Sequence, residues 1–141
     1  MTIAWDPDFA EHAPAFAPVR AAARELRAPA WPGCADFNRL LEVRGVPLLN
    51  GCGLPLHFVG QAGRPQAFTD EYEPRIFLRG EVQLRAGDWH DFFNALAWLT
   101  FPRAKAALNE RHYRWPVSLR NSTRASRRAS GTRRTRLPRA H

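Results

Sequence analysis

Residues 89–112 read Trp-His-Asp-Phe-Phe-Asn-Ala-Leu-Ala-Trp-Leu-Thr-Phe-Pro-Arg-Ala-Lys-Ala-Ala-Leu-Asn-Glu-Arg-His, and this stretch decides the fold. Trp89, Phe92, Phe93 and Leu96 recur at i, i+3, i+4 and i+7, the spacing of one buried helix face. Gly87-Asp88 opens that helix: Asp88 can cap it, and Asp91 stands where a capping-box acid belongs. Both carboxylates also suit the positive end of the helix dipole. Phe101-Pro102 marks a break, because proline fits the first position of a helix and not its interior. A last helix then runs to about His112, with Lys105, Asn109 and His112 on one face and Ala104, Ala107 and Leu108 as the packing face. The two helices predict a hairpin.

The polar residues of this hairpin are the candidate site. His90, Asp91 and Asn94 gather at the helix start, with Trp98 a turn beyond, and such a group can supply a metal ligand or a general base. Lys105, one turn before Asn109, can hold a phosphate or carboxylate, with His112 completing the face. Each constellation has a plainer reading. Asp91 caps while His90 and Asn94 satisfy buried backbone groups or face water, and Lys105, Asn109 and His112 form the solvated side of an amphipathic helix. The order His, Asn, His is that of metal-dependent His-Asn-His nucleases, but a helix start replaces the strand pair that carries their first histidine.

Upstream, Pro18 starts and Pro29 stops a short helix at about 18–27, and a second helix over 35–44 ends at Gly45. Four glycines and three prolines punctuate 46–68 around one strand, Leu56-His57-Phe58-Val59. Two β-prone pieces follow, Arg75–Leu78 and Glu81–Leu84, joined by Arg79-Gly80 as a hairpin. Glu73 and Arg75, on either side of Pro74, are expected to form a surface ion pair.

Charge divides the chain. Residues 113–141 hold nine arginines and no acid, which leaves 12 basic against 13 acidic residues in 1–112. The pI near 11.1 therefore belongs to the tail. Rich in Arg, Ser and Thr and poor in apolar residues, 113–141 is expected to be disordered, and to bind nucleic-acid phosphates non-specifically at low salt through charge alone. No run reaches the roughly 18 apolar residues a membrane span needs. Cys34, Cys52, His57 and His90 lack zinc-finger spacing, so no metal is assigned. Two cysteines without a paired motif, and no secretion signal, fit a cytoplasmic protein.

The run Tyr72-Glu73-x-Arg75-Ile76, Gly80-x-Val82, Arg85 and Trp89-His90-Asp91-x-x-Asn94-Ala95-Leu96-x-Trp98-Leu99-x-Phe101-Pro102-Arg103-x-Lys105-x-x-Leu108-Asn109 closely resembles the bacterial domain-of-unknown-function family 3025, found largely in proteobacteria. Gln83-Leu84 replaces a frequent Pro-Thr, and Ala104 a usual threonine. The resemblance supplies no activity, cofactor or substrate. It does imply a chain that continues past the Asn109–His112 region into a second globular half, so this sequence reads as a truncated member with an arginine-rich tail. Lys105 is the sole lysine among 21 basic residues, a mark of GC-rich coding sequence, and suggests a frameshift near 112–116. A helical face left without its partner half would favour aggregation.

The expected architecture is thus one small α+β domain, mainly helical, over 1–112, followed by a basic tail. Two functions follow. One is a non-catalytic cytosolic domain, binding or structural, with a buried polar network. The other is a metal- or phosphate-dependent hydrolase using His90, Asp91 and Asn94 with Lys105 and His112.

Overall fold

Asp88 caps the central helix as its spacing requires: in the computed structural model, which describes residues 4–61 and 63–131, its Oδ1 accepts the Asp91 amide at 3.0 Å. The described elements run α1 (Arg20–Glu25), α2 (Cys34–Arg44), β1 (His57–Val59), α3 (Tyr72–Arg79), β2 (Glu81–Gln83), α4 (Trp89–Thr100) and α5 (Pro102–Gly131), with short 3-10 turns before α1 and α3. The fold is α+β and mainly helical, a single small domain.

α4 is the spine. Phe92, Leu96 and Trp98 are fully buried, and Phe37 of α2, Phe58 of β1, Ile76 of α3 and Val82 of β2 close round them. The proline-rich N-terminal segment is more than a linker to α1. It wraps α4 and places Trp5 and Phe9 against Trp89 and Phe92, with ring centroids 5.1–5.6 Å apart. Tilted and edge-on rings at these spacings add roughly 0.5–1.5 kcal/mol per pair beyond simple burial.

The hairpin expected at 75–84 does not form. Tyr72–Arg79 is a helix, and β2 pairs in parallel with β1, matching Phe58 to Val82. α3 is therefore the crossover that a parallel pair demands. Three features explain the difference. Pro74 lies in the first turn, where its missing amide is harmless. Ile76 and Phe77 are buried while Leu78 is exposed, a helical rather than alternating pattern. Gly80 takes φ +70° and ends α3, its amide bonded to the Ile76 carbonyl at 3.0 Å, so the presumed hairpin turn is a helix stop.

Side-chain amides splice these pieces together. Asn38 of α2 donates to the Phe58 carbonyl and accepts the Phe58 amide, at 2.9 and 2.8 Å, behaving as an extra strand beside β1. Buried Asn50 donates to the Ile76 and Phe77 carbonyls at the end of α3, each at 2.9 Å. It also accepts the Cys52 and Leu54 amides, which fixes the turn leading into β1.

α5 does not stop near His112. It continues to Gly131 through Pro116, and the rest of the arginine-rich segment, 132–141, lies outside the described residues. Tyr113 stacks on Phe77 with centroids 4.2 Å apart, and the Arg120 guanidinium lies 4.0 Å from the Phe68 ring centre. Contacts of α5 with the elements before it thus continue past residue 112.

Candidate functional site

α5 is rotated relative to its expected orientation. Lys105 and Asn109 face inward, whereas Ala104, Ala107 and Leu108, read as the packing face, point out, with Leu108 49% exposed. The physical cause lies on the opposing helices. α3 and α4 offer Tyr72, Glu73 and Asn94 at this junction, and a polar stripe satisfies them where an apolar one would leave buried groups unpaired.

Lys105 Nζ donates to Asn94 Oδ1 at 2.5 Å and lies 5.4 Å from the centre of the Trp98 ring. The other end of the Asn94 amide donates to the Tyr72 hydroxyl. Asn109, 2% exposed, donates to both the backbone carbonyl and the carboxylate of Glu73, at 2.9 and 2.6 Å. His112 Nδ1 reaches the second Glu73 oxygen at 3.4 Å. One continuous network therefore joins Trp98, Lys105, Asn94 and Tyr72, and next to it Glu73, Asn109 and His112.

Burial shapes its charges. It pushes the Tyr72 hydroxyl well above the usual phenol range, and the neighbouring Glu73 charge adds to the effect. It also depresses the Lys105 ammonium, while Glu73 pulls the other way. Tyr72 is thus held neutral, as a hydrogen-bonding partner rather than a base.

His90 and Asp91 belong to a different place. His90 is 85% exposed and touches Asp91 at 3.3 Å. Asp91 is committed to Arg85, accepting its Nε at 2.8 Å, its Nη2 at 3.0 Å and its backbone amide at 2.9 Å. The capping box is therefore one-sided: Asp88 caps α4, but Asp91 turns back to clamp the loop before it. That bidentate pair holds the Asp91 carboxyl down to about 2, chiefly through the Arg85 hydrogen bonds.

Asp88, His90 and Asp91 do place one ligand atom each within 4.8 Å of one another. Arg85 nevertheless occupies the carboxylate face a cation would need, bridging Asp91 and, at 3.2 Å, Asp88. The cysteines proposed for no metal are free thiols, Cys34 half-buried and Cys52 exposed.

The expected Glu73–Arg75 ion pair is replaced by two others. Glu73 turns to α5, and Arg75 Nε donates to Glu81 of β2 at 2.6 Å. Helix geometry separates them, because residues two apart point to different sides. Arg103 is exposed on α5, and Trp89 sits in the aromatic cluster over α4.

Sequence reasoning missed Arg85 as the partner of Asp91, although Arg85 stands among the family-like residues. It also missed Asn38 and Asn50. An asparagine beside glycine, as at Asn50-Gly51, is a signal that could have pointed to a structural turn.

A family model described as a protein of unknown function, DUF3025, matches residues 56–135, more than half the chain. The chain belongs to this family. The DUF3025 match spans β1, α3, β2, α4 and all of α5, and so contains both polar clusters. No curated protein and no solved structure matches it.

One prediction arises from the Arg85 clamp. With its native value near 2 and an unfolded value of about 3.9, the Asp91 carboxylate contributes stability above about pH 4. That contribution is lost as pH falls from about 4 to about 2. Half-exposed Arg85 is screened by solvent, so the effect is about 1–2 kcal/mol rather than the full value. Asp91→Asn should flatten the acid limb of a pH–stability curve over that window; an unchanged limb would contradict the clamp.

Proposed function

We propose that this chain is a non-catalytic binding domain in which Asn94 of the Trp-His-Asp-x-x-Asn motif, Tyr72 and Glu73 of α3 and the polar stripe of α5 form an internal clasp. The observation that carries the reading is the engagement of these groups with one another. Asn94, Lys105 and Glu73 spend their strongest donors and acceptors within the network, the Asn109 amide nitrogen donates to Glu73 while its buried Oδ1 has no partner among the described residues, and Asp91 spends its own oxygens on Arg85. A hydrolase would need His90 to meet Lys105 or His112 around an open position. His90 instead stands outside the network, beside a carboxylate already neutralised.

Two unpaired thiols suit a reducing compartment, in keeping with a cytoplasmic protein. Among the described residues, no helix is long and apolar enough to cross a membrane. The arginines of 113–141 would attract nucleic-acid phosphates through charge, which we regard as a side effect of composition.

A thermal-shift panel of divalent cations, nucleotides and phosphates on the wild type and His90→Ala tests the reading. Divalent cations should give the same small response in both. A cation-dependent stabilisation of several degrees that disappears in His90→Ala would overturn it in favour of the hydrolase.

A further inference from the structure

A cleft of about 360 Å³ lies beside α3, walled by residue 61, residues 63–66, α3 and the end of β2. Its lining includes Arg64, Arg75 and Arg79, with the amides of Gln66 and Gln83 and a single carboxylate, Asp70. Arg75 and Arg79 are one turn apart and share a face of α3.

Arg75 is the telling residue. Its side chain is only 16% exposed, and Nε is fixed by Glu81 at 2.6 Å. Its two terminal nitrogens make no hydrogen bond to the described residues, although the side chain lines the cleft. A guanidinium carries five N–H donors, and one so nearly buried with most of them unused is poised for an acceptor from outside. Arg79 makes one contact, to Asp70 at 3.2 Å, and Arg64 makes none among the described residues. Three guanidiniums therefore face two carboxylates, Asp70 at the wall and Glu81 behind Arg75.

We infer that this cleft binds the phosphate group of a small phosphorylated organic molecule. A phosphate dianion offers three strongly accepting oxygens, which suits several convergent arginines better than the two oxygens of a carboxylate. The remaining volume and the glutamine amides accommodate a hydroxylated body, since a cleft of this size falls within the range of small-ligand sites. The inference rests on reading the chain as a binding domain and supplies its ligand class.

Calorimetric titration of the full chain at fixed ionic strength with ribose 5-phosphate and, separately, inorganic phosphate tests it. Ribose 5-phosphate should bind one to one with a Kd below about 1 mM, and inorganic phosphate more weakly. Arg64→Ala and Arg79→Ala, both on the surface, should each weaken ribose 5-phosphate at least about tenfold while melting within about 2 °C of the wild type. The double variant R75Q/E81Q, which removes a charge pair together, should abolish binding.

Absence of saturable binding would overturn the inference. So would binding as tight as the wild type in both Arg64→Ala and Arg79→Ala, the result expected if the arginines of α5 held the phosphate. A chain whose Asn94–Lys105 coupling is intact but which binds no ribose 5-phosphate loses the cleft alone. Loss of that coupling would instead count against the clasp.

Discussion

Trp98→Ala should cost about 3–5 kcal/mol of unfolding free energy, the range for truncating a large aromatic in a core that cannot collapse around the hole. Trp98 is 0% exposed, and its ring is also the surface over which the Lys105 ammonium lies. The loss therefore has two parts: a cavity in the middle of α4, and a half-buried cation without its aromatic platform. Trp98→Phe should cost far less, about 1–2 kcal/mol. Its buried indole N–H makes no full hydrogen bond among the described residues, so removing that group adds little to the lost packing. Urea unfolding of both variants checks the ranking, and hydrogen exchange should show α5 amides near Lys105 opening more readily in Trp98→Ala. Equal costs for the two variants would mean that the ring packs loosely.

Gly80→Ala should be similarly damaging, at about 3 kcal/mol or more, with a fall in Tm of roughly 10 °C. Gly80 has φ +70°, and a Cβ there would stand 2.4 Å from the Pro55 carbonyl oxygen. Backbone strain and backbone collision act together, and neither can relax without moving the strand that begins at His57, whose amide bonds the Gly80 carbonyl at 2.9 Å. Gly45→Ala is the control. Gly45 also ends a helix with positive φ, but nothing lies within 4 Å of its Cβ direction, so only about 1 kcal/mol of strain remains. Denaturant melts of the pair separate the collision from the strain; matching losses would contradict the close approach of Gly80 to Pro55.

Much of α4 was legible because its signals agree. Aromatic spacing, an aspartate cap and a proline after its end all point to a helix, and α4 forms where they place it. α2 was legible for the same reason, ending at Gly45. At α3 the signals conflict: Ile76, Phe77 and Leu78 are strand-compatible residues in a row, and packing against α5 and β2, together with the stop at Gly80, decides for a helix.

The orientation of α5 was hidden for a deeper reason. Periodicity separates polar from apolar faces, but which face turns inward depends on what waits there, and Glu73 and Asn94 come from other helices. The end of α5 was hidden because apolar periodicity fades after His112 while the helix continues. Pro116 leaves the His112 carbonyl without its usual helical donor, a stop signal that the continuing helix overrides while Tyr113 packs on Phe77. The family match runs to residue 135, across the place where a frame break was expected. Reading the other two frames of the coding DNA beyond codon 112 tests that expectation: a globular, family-like continuation supports the break, and its absence in both frames removes it.

The family-like residues split between the two clusters in a way their order along the chain conceals. His90 and Asp91 are neighbours of Asn94 in sequence, yet Asp91 serves the loop before α4 while Asn94 serves α3 and α5. A helix turns successive residues by about 100°, so a continuous motif need not be a single site.

The inward-facing clasp is tested most directly by a double-mutant cycle on Asn94 and Lys105, read by urea unfolding. Asn94→Leu alone should cost about 2 kcal/mol or more, because it strands a half-buried ammonium. Lys105→Met alone should cost about 1 kcal/mol or less, since relief from burying the charge offsets the lost bond. The double variant should be more stable than the sum of the single losses predicts, with a coupling of about 1–2 kcal/mol. Additivity within about 0.3 kcal/mol would mean that the two side chains do not meet, and that the polar stripe of α5 faces water.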